Sequence, residues 1–174
     1  MKEINLWLKI VILFLVDQGI KLWIYLLHLD KVRPLIPPIL YFKPTFNRDY
    51  SWVNSLLDLG ISRQIHILLT LFLMLLILTF YSYLTTRIES SQLLRLIFIF
   101  LFTGALCSLV DRVFWNGSLD YILLKGFFTF DLKDLYVAVF LGTILYATVT
   151  KNQLFKDLDH PDLFKDYLKY LVRK

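Results

Sequence analysis

One cysteine, Cys107, in 174 residues leaves this chain without an internal disulfide framework, and His28, His66 and His160 are too scattered for a zinc site. Also missing are G-x-S-x-G, H-E-x-x-H, a Walker phosphate loop and any cysteine paired with a histidine as nucleophile and base. These absences set aside disulfide-stapled, zinc-hydrolytic, serine- or cysteine-nucleophile and nucleotide-hydrolysing classes, so no metal and no cofactor is expected. No internal repeat or low-complexity tract interrupts the chain. The first apolar run has no small-x-small cleavage site after it, and Asp17 and Lys21 break it, so it reads as a retained span rather than a secretory signal.

What is abundant is apolar side chain. Hydrophobic residues make up 57% and aromatics 17%, and the mean hydropathy of +0.62 lies above the soluble norm. The chain reads as an integral membrane protein of one domain's length. Apolar runs at Leu6 to Leu27, Ile65 to Leu84, Leu93 to Trp115 and Leu135 to Val149 approach the ~20 residues that a span requires, the last if its start takes in Asp134 or its neighbours. Four spans place both termini on one side.

The net charge of +5 does not form a dense basic stripe, so no nucleic-acid partner is expected. Lys151, Lys156, Lys165, Lys169, Arg173 and Lys174 gather at the C-terminal end and, with Lys2, Lys9, Arg87 and Arg95, favour cytoplasmic termini. The tail has a helix start at HPD, with Leu163, Tyr167, Leu168 and Leu171 at helical spacing, and reads as an interfacial helix against lipid headgroups. Within the first long loop, residues 39–53 combine β-branched and aromatic residues around Pro44, which suggests short strands at the interface. SWVNSLLDLG then reads as a short helix stopped by Gly60. The expected fold is an all-α membrane protein: four transmembrane helices, a small outer-face β-cradle and an interfacial helix. Residues 1–150 form the four-helix unit and 151–174 a basic amphipathic cytoplasmic tail.

Acidic residues stand out against this background. Asp111, Asp120, Asp131 and Asp134 lie where the third and fourth runs meet water, and Asp17 shares a helix face with Lys21. A carboxylate at a helix centre costs roughly +2.5 to +3.5 kcal/mol on insertion scales, which favours a task for each. Ion pairs of Asp17 with Lys21 and of Asp111 with Arg112 would account for those four residues as packing devices. They leave Asp120 and Asp134 unexplained. Two carboxylates sharing a proton in a poorly hydrated site can activate water, as in aspartic proteases. By spacing alone, the same acids could equally form a proton or cation path.

The motifs resemble those of the lipoprotein signal peptidases (signal peptidase II). VDQGIK at 16–21 is similar to D-Q-x-x-K, and NRDYSW at 47–52 to N-x-G-A-x-F/W, matching at Asn47 and Trp52. TGALCSLVDR at 103–112 resembles G-G-A-L-G-N-L-I-D-R, SLDYI at 118–122 resembles V-V-D-F-I, and FDLKD at 130–134 resembles F-N-x-A-D. The resemblance covers residues 11–148 in patches, in order.

It implies Asp120 and Asp134 as the catalytic pair, and Asn47, Arg112, Ser108 and Asp131 as substrate-binding positions. Asp17, Lys21, Asp111 and Trp52 would be supporting residues. It further implies a monomer in the bacterial inner membrane, with the site at the outer face. That enzyme would cut a diacylglyceryl-modified prolipoprotein among membrane lipids. The chain departs from the pattern at Asp49 and Tyr50 (usually Gly-Ala), at Cys107 and Ser108 (Gly-Asn), at Asp131 (Asn) and at Lys133 (Ala). Those departures keep a non-catalytic binder of lipidated peptides as the alternative, and a small ion carrier as a weaker third.

Overall fold

The computed structural model describes residues 2–88 and 91–172. Four long helices dominate it: α1 (Lys2–Leu27), α3 (Arg63–Arg87), α4 (Gln92–Phe114) and α5 (Leu132–Val149). Each contains a window long and apolar enough to cross a bilayer. The outward faces carry what a soluble protein would hide, including Leu68, Phe72 and Leu75 on α3 and Leu141 and Leu145 on α5, all exposed. Their solvent is hydrocarbon. This is a multi-pass membrane protein.

Between α1 and α3 lie β1 (Arg33–Ile36), β2 (Leu40–Asn47) and α2 (Trp52–Leu57), and between α4 and α5 lie β3 (Ser118–Leu124) and β4 (Thr129–Phe130). The strands form one antiparallel sheet in the order β1-β2-β3-β4. Pro44, which cannot donate to a ladder, sits inside the register shift between Phe42 and Thr45. The expected cradle is therefore present. It is also larger than residues 39–53, since the hairpin of residues 118–130 joins it.

Local chemistry starts most helices. Ser51, Ser62, Ser91, Asp131 and Asn152 are N-caps whose side chains accept backbone N–H groups of the first turn. The end of α2 differs from expectation, because Asp58 in a left-handed conformation (φ 48°) closes it before Gly60. Asn54 secures that turn: its side chain donates to the carbonyls of Asp49 and Ile61 and accepts the Ile61 N–H.

Helix α4 is the hub against which α1, α3 and α5 all pack. Gly104 permits the close approach of α5, since a Cβ there would stand 3.1 Å from Cγ2 of Val137. Cys107, three residues on, is wholly buried and fits a small packing residue. The tail holds two helices rather than one, α6 (Gln153–Leu158) and α7 (Leu163–Val172). Leu154 and Tyr167 are buried in a cluster with Tyr83, Leu84, Leu94 and Ile97, and the Tyr167 hydroxyl lies 2.7 Å from that of Thr79.

Candidate active site

The C-terminal halves of α1 and α4, strand β3 and the first turn of α5 bring their charged side chains together at the sheet end of the bundle. Lys21, fully buried, is the inner cation. Its ammonium lies 3.0 Å from Asp17, 2.6 Å from Asp111 and 2.8 Å from Asp131. Gln18 donates to Asp17 and Asp111 and accepts from the Trp115 indole. The Asp17–Lys21 pair is thus present as expected. The Asp111–Arg112 pair is not: successive residues of a helix point about 100° apart, so Asp111 turns inward to Lys21 while Arg112 faces α3.

Arg112 donates to the carbonyl of Tyr50 at 2.7 Å, to the Thr70 hydroxyl at 3.0 Å and to the Ser108 carbonyl at 3.2 Å. It therefore fastens the 48–51 loop to α3 and α4. Its Nε–H is buried without a partner among the described residues. Asn47 ends β2 opposite Ser118, and its side-chain oxygen accepts the Asp49 N–H. The side chain of Trp52, expected as a support, lies outside the described residues.

Strand β3 presents Asp120. Leu119 and Tyr121 pack with Ile24 of α1, and the two-residue alternation of a strand turns Ser118 and Asp120 to the other side. There they border a cavity of 660 Å³ together with Asn47, Ser108, Arg112, Lys133 and Asp134. Phe128, Val137, Ala138 and Leu141 make the cavity's apolar wall. Asp131 does not line it. Only 1% exposed, it caps α5 in a reciprocal box with Asp134.

One carboxylate oxygen from each of Asp120, Asp131 and Asp134 lies within 4.8 Å of the others. Such a set could hold a cation, and one is already supplied by the protein. The Lys133 ammonium stands 2.6 Å from Asp131, 3.5 Å from Asp120, 3.6 Å from Asp111 and 4.0 Å from Asp134. Lys133 also donates to Ser118 at 2.6 Å, and Ser118 donates to Asp120 at 2.7 Å.

Burial pushes the Asp120 carboxyl above its ordinary value, and Asp131 adds to the rise. Lys133, Ser118 and Lys21 pull against it without cancelling it. Burial acts on Asp131 in the same sense, but there Lys133 and Lys21 outweigh it and hold that carboxyl down at about 2.

Ser118 and Gln18 were not foreseen from sequence. Ser118 carried a usable signal, since a residue two before Asp120 shares its face in a strand. Gln18 carried one too, as the Q of the D-Q-x-x-K pattern matched at 16–21. Tyr50 carried none, because it is the backbone carbonyl that meets Arg112.

A bundle of four apolar helices that presents carboxylates to a cavity beside a small sheet defines a membrane-embedded protein with an acid-lined pocket. A family profile described as signal peptidase (SPase) II matches residues 9–150. The chain belongs to that family, whose members are aspartic-type lipoprotein signal peptidases, and it is a hydrolase of that type. Two solved structures described as bacterial membrane enzymes share its fold. One has a TM-score of 0.68 at 19% identity, over 85% of this chain and 94% of the other. The second has a TM-score of 0.62 at 20% identity, over 86% and 92% respectively. No curated protein matches the sequence.

Proposed function

We propose that this enzyme is an endopeptidase that cuts membrane-anchored prolipoproteins just before the diacylglyceryl-modified cysteine, with Asp120 and Asp134 as its catalytic pair. The observation that carries this reading is the convergence of those two carboxylates, 14 positions apart in sequence, within 4.8 Å at the wall of one cavity. Water attacks the scissile carbonyl carbon as one aspartate takes its proton and the other protonates the carbonyl oxygen. The tetrahedral intermediate then collapses: the C–N bond breaks, the amine leaves with the proton first taken from water, and the second aspartate recovers its own. No cofactor enters.

Arg112 and Asn47 border the same space and would hold the peptide backbone. Ser108 lines it as well, whereas Asp131 would act by supporting Lys133 and Asp134. Asp17, Lys21 and Asp111 would brace the site from behind. The apolar wall of Val137, Ala138 and Leu141 continues into the α5 span, which suits acyl chains lying in the bilayer. The enzyme would act as a monomer in the bacterial inner membrane. Its termini would be cytoplasmic, its site at the outer face, and its 151–174 segment a cytoplasmic tail.

The test is cleavage of a diacylglyceryl-modified prolipoprotein by purified protein in lipid, wild type beside Asp120→Asn and Asp134→Asn. Each substitution should lower the rate by at least about 100-fold while folding is retained. An unchanged rate in Asp120→Asn would sink the assignment. Binding of the substrate without cleavage by the wild type would favour a non-catalytic binder.

A further inference from the structure

Lys133 occupies an unfavourable place. It lies in the first turn of α5, where the helix dipole repels cations, and only 8% of the residue is exposed. A buried ammonium there needs partners, and those it has are unevenly shared. Asp131 and Ser118 each take it at 2.6 Å.

Ser118 has one hydroxyl proton, and its shortest acceptor is Asp120 at 2.7 Å, with Asp111 and Asp131 at 3.2 and 3.3 Å. A hydroxyl that receives a bond from an ammonium is a stronger donor to the next acceptor. Asp120 therefore receives a polarised hydrogen bond as well as a cation at 3.5 Å. Asp134 is treated differently. Lys133 stands 4.0 Å away, one oxygen accepts the Asp131 N–H at 3.0 Å, and 45% of the side chain is exposed.

We propose that Lys133, acting through Ser118, is a positioning residue that keeps Asp120 the ionised member of the pair, so that Asp120 takes the proton of the attacking water and Asp134 supplies the proton to the carbonyl oxygen. This rests on the reading of Asp120 and Asp134 as the hydrolytic pair and assigns each its direction. The charged groups that face the arrangement are Asp17 and Lys21 from α1, Asp111 and Arg112 from α4, Asp120 from β3, and Asp131 and Asp134 from the start of α5. Lys21 is committed to Asp17, Asp111 and Asp131, and Arg112 to the carbonyls of Tyr50 and Ser108. That leaves Lys133 as the cation within 4 Å of Asp120 among the described residues.

The experiment is the pH profile of kcat/KM for a diacylglyceryl-modified peptide, with wild type, Lys133→Met and Ser118→Ala. The acid limb reports the base losing its charge on protonation. Lys133→Met removes the cation that favours ionised Asp120, so the acid limb should move to higher pH by about 1 unit or more. Asp131 keeps Lys21 at 2.8 Å in that variant, which supports folding.

Ser118→Ala alters no charge and touches Asp120 but not Asp134, so it should move the acid limb upward and leave the alkaline limb in place. If Lys133→Met does not fold, Ser118→Ala decides alone. An acid limb unmoved by the folded variants, or a shift confined to the alkaline limb, overturns the proposal. Loss of cleavage in Asp120→Asn and Asp134→Asn would meanwhile uphold the pair, whereas continued cleavage in both would sink the underlying function instead.

Discussion

Lys21 reaches three carboxylates from the buried face of α1; Asp131 and Asp111 also have Lys133 at 2.6 and 3.6 Å, whereas Asp17 has Lys21 as its ion-pair partner among the described residues. Removing one partner from such a group is far more damaging than replacing the whole group, because the remaining charges stay buried. Lys21→Met is therefore expected to cost about 3–5 kcal/mol, read as a fall in thermal unfolding temperature in detergent. Adding Asp111→Asn to that variant should restore part of the loss.

Asp131 makes a second prediction at this scale. Its folded value of about 2 lies below the ordinary ~3.9, so its ionised form contributes stability that is fully present above about pH 4. That contribution disappears as pH falls toward about 2. Asp131→Asn should flatten the dependence of unfolding temperature on pH across that window, and an unchanged slope would count against the ion pairing described.

Among the elements, β3 and its entry turn do most to set the site. Gly117 precedes the strand at φ 147°, and a Cβ there would meet the Asn47 carbonyl oxygen at 2.6 Å. Gly117→Ala should cost about 1–3 kcal/mol and lower cleavage, because relief of the clash separates Asn47 from Ser118. Unfolding temperature and turnover measured together would check it.

The hairpin that follows was also the hardest element to read in advance. The four spans were visible as hydropathy, and Asp17 with Lys21 as an i, i+4 pair, because both signals are local. The segment SLDYILL alternates only from Ser118 to Tyr121 and then runs apolar through Ile122, Leu123 and Leu124, too short a stretch for period-2 logic to mark a strand. Asp120 and Asp134 were legible as neighbours only through the family motifs. Gly126 marks a turn, but nothing local says that the turn folds β3 back on β4. Lys133 was visible as a departure beside Asp134, but its inward direction depends on Asp131 and Ser118, which only the folded chain assembles.

At the scale of the whole molecule, the sheet lies at one end of the bundle and the tail at the other, where α7 packs on α3 through Thr79, Ser82 and Arg87. The β3–β4 turn and the 151–174 segment should thus face opposite sides of the membrane. The wholly buried Cys107 makes that easy to examine. As the sole thiol in the sequence, and one sealed within α4, it should stay silent toward membrane-impermeant maleimides, so the native chain is already a blank background for reporter thiols. Phe127→Cys, at a position 80% exposed, should label in intact spheroplasts. Lys156→Cys, on α6, should label only after the membrane is opened.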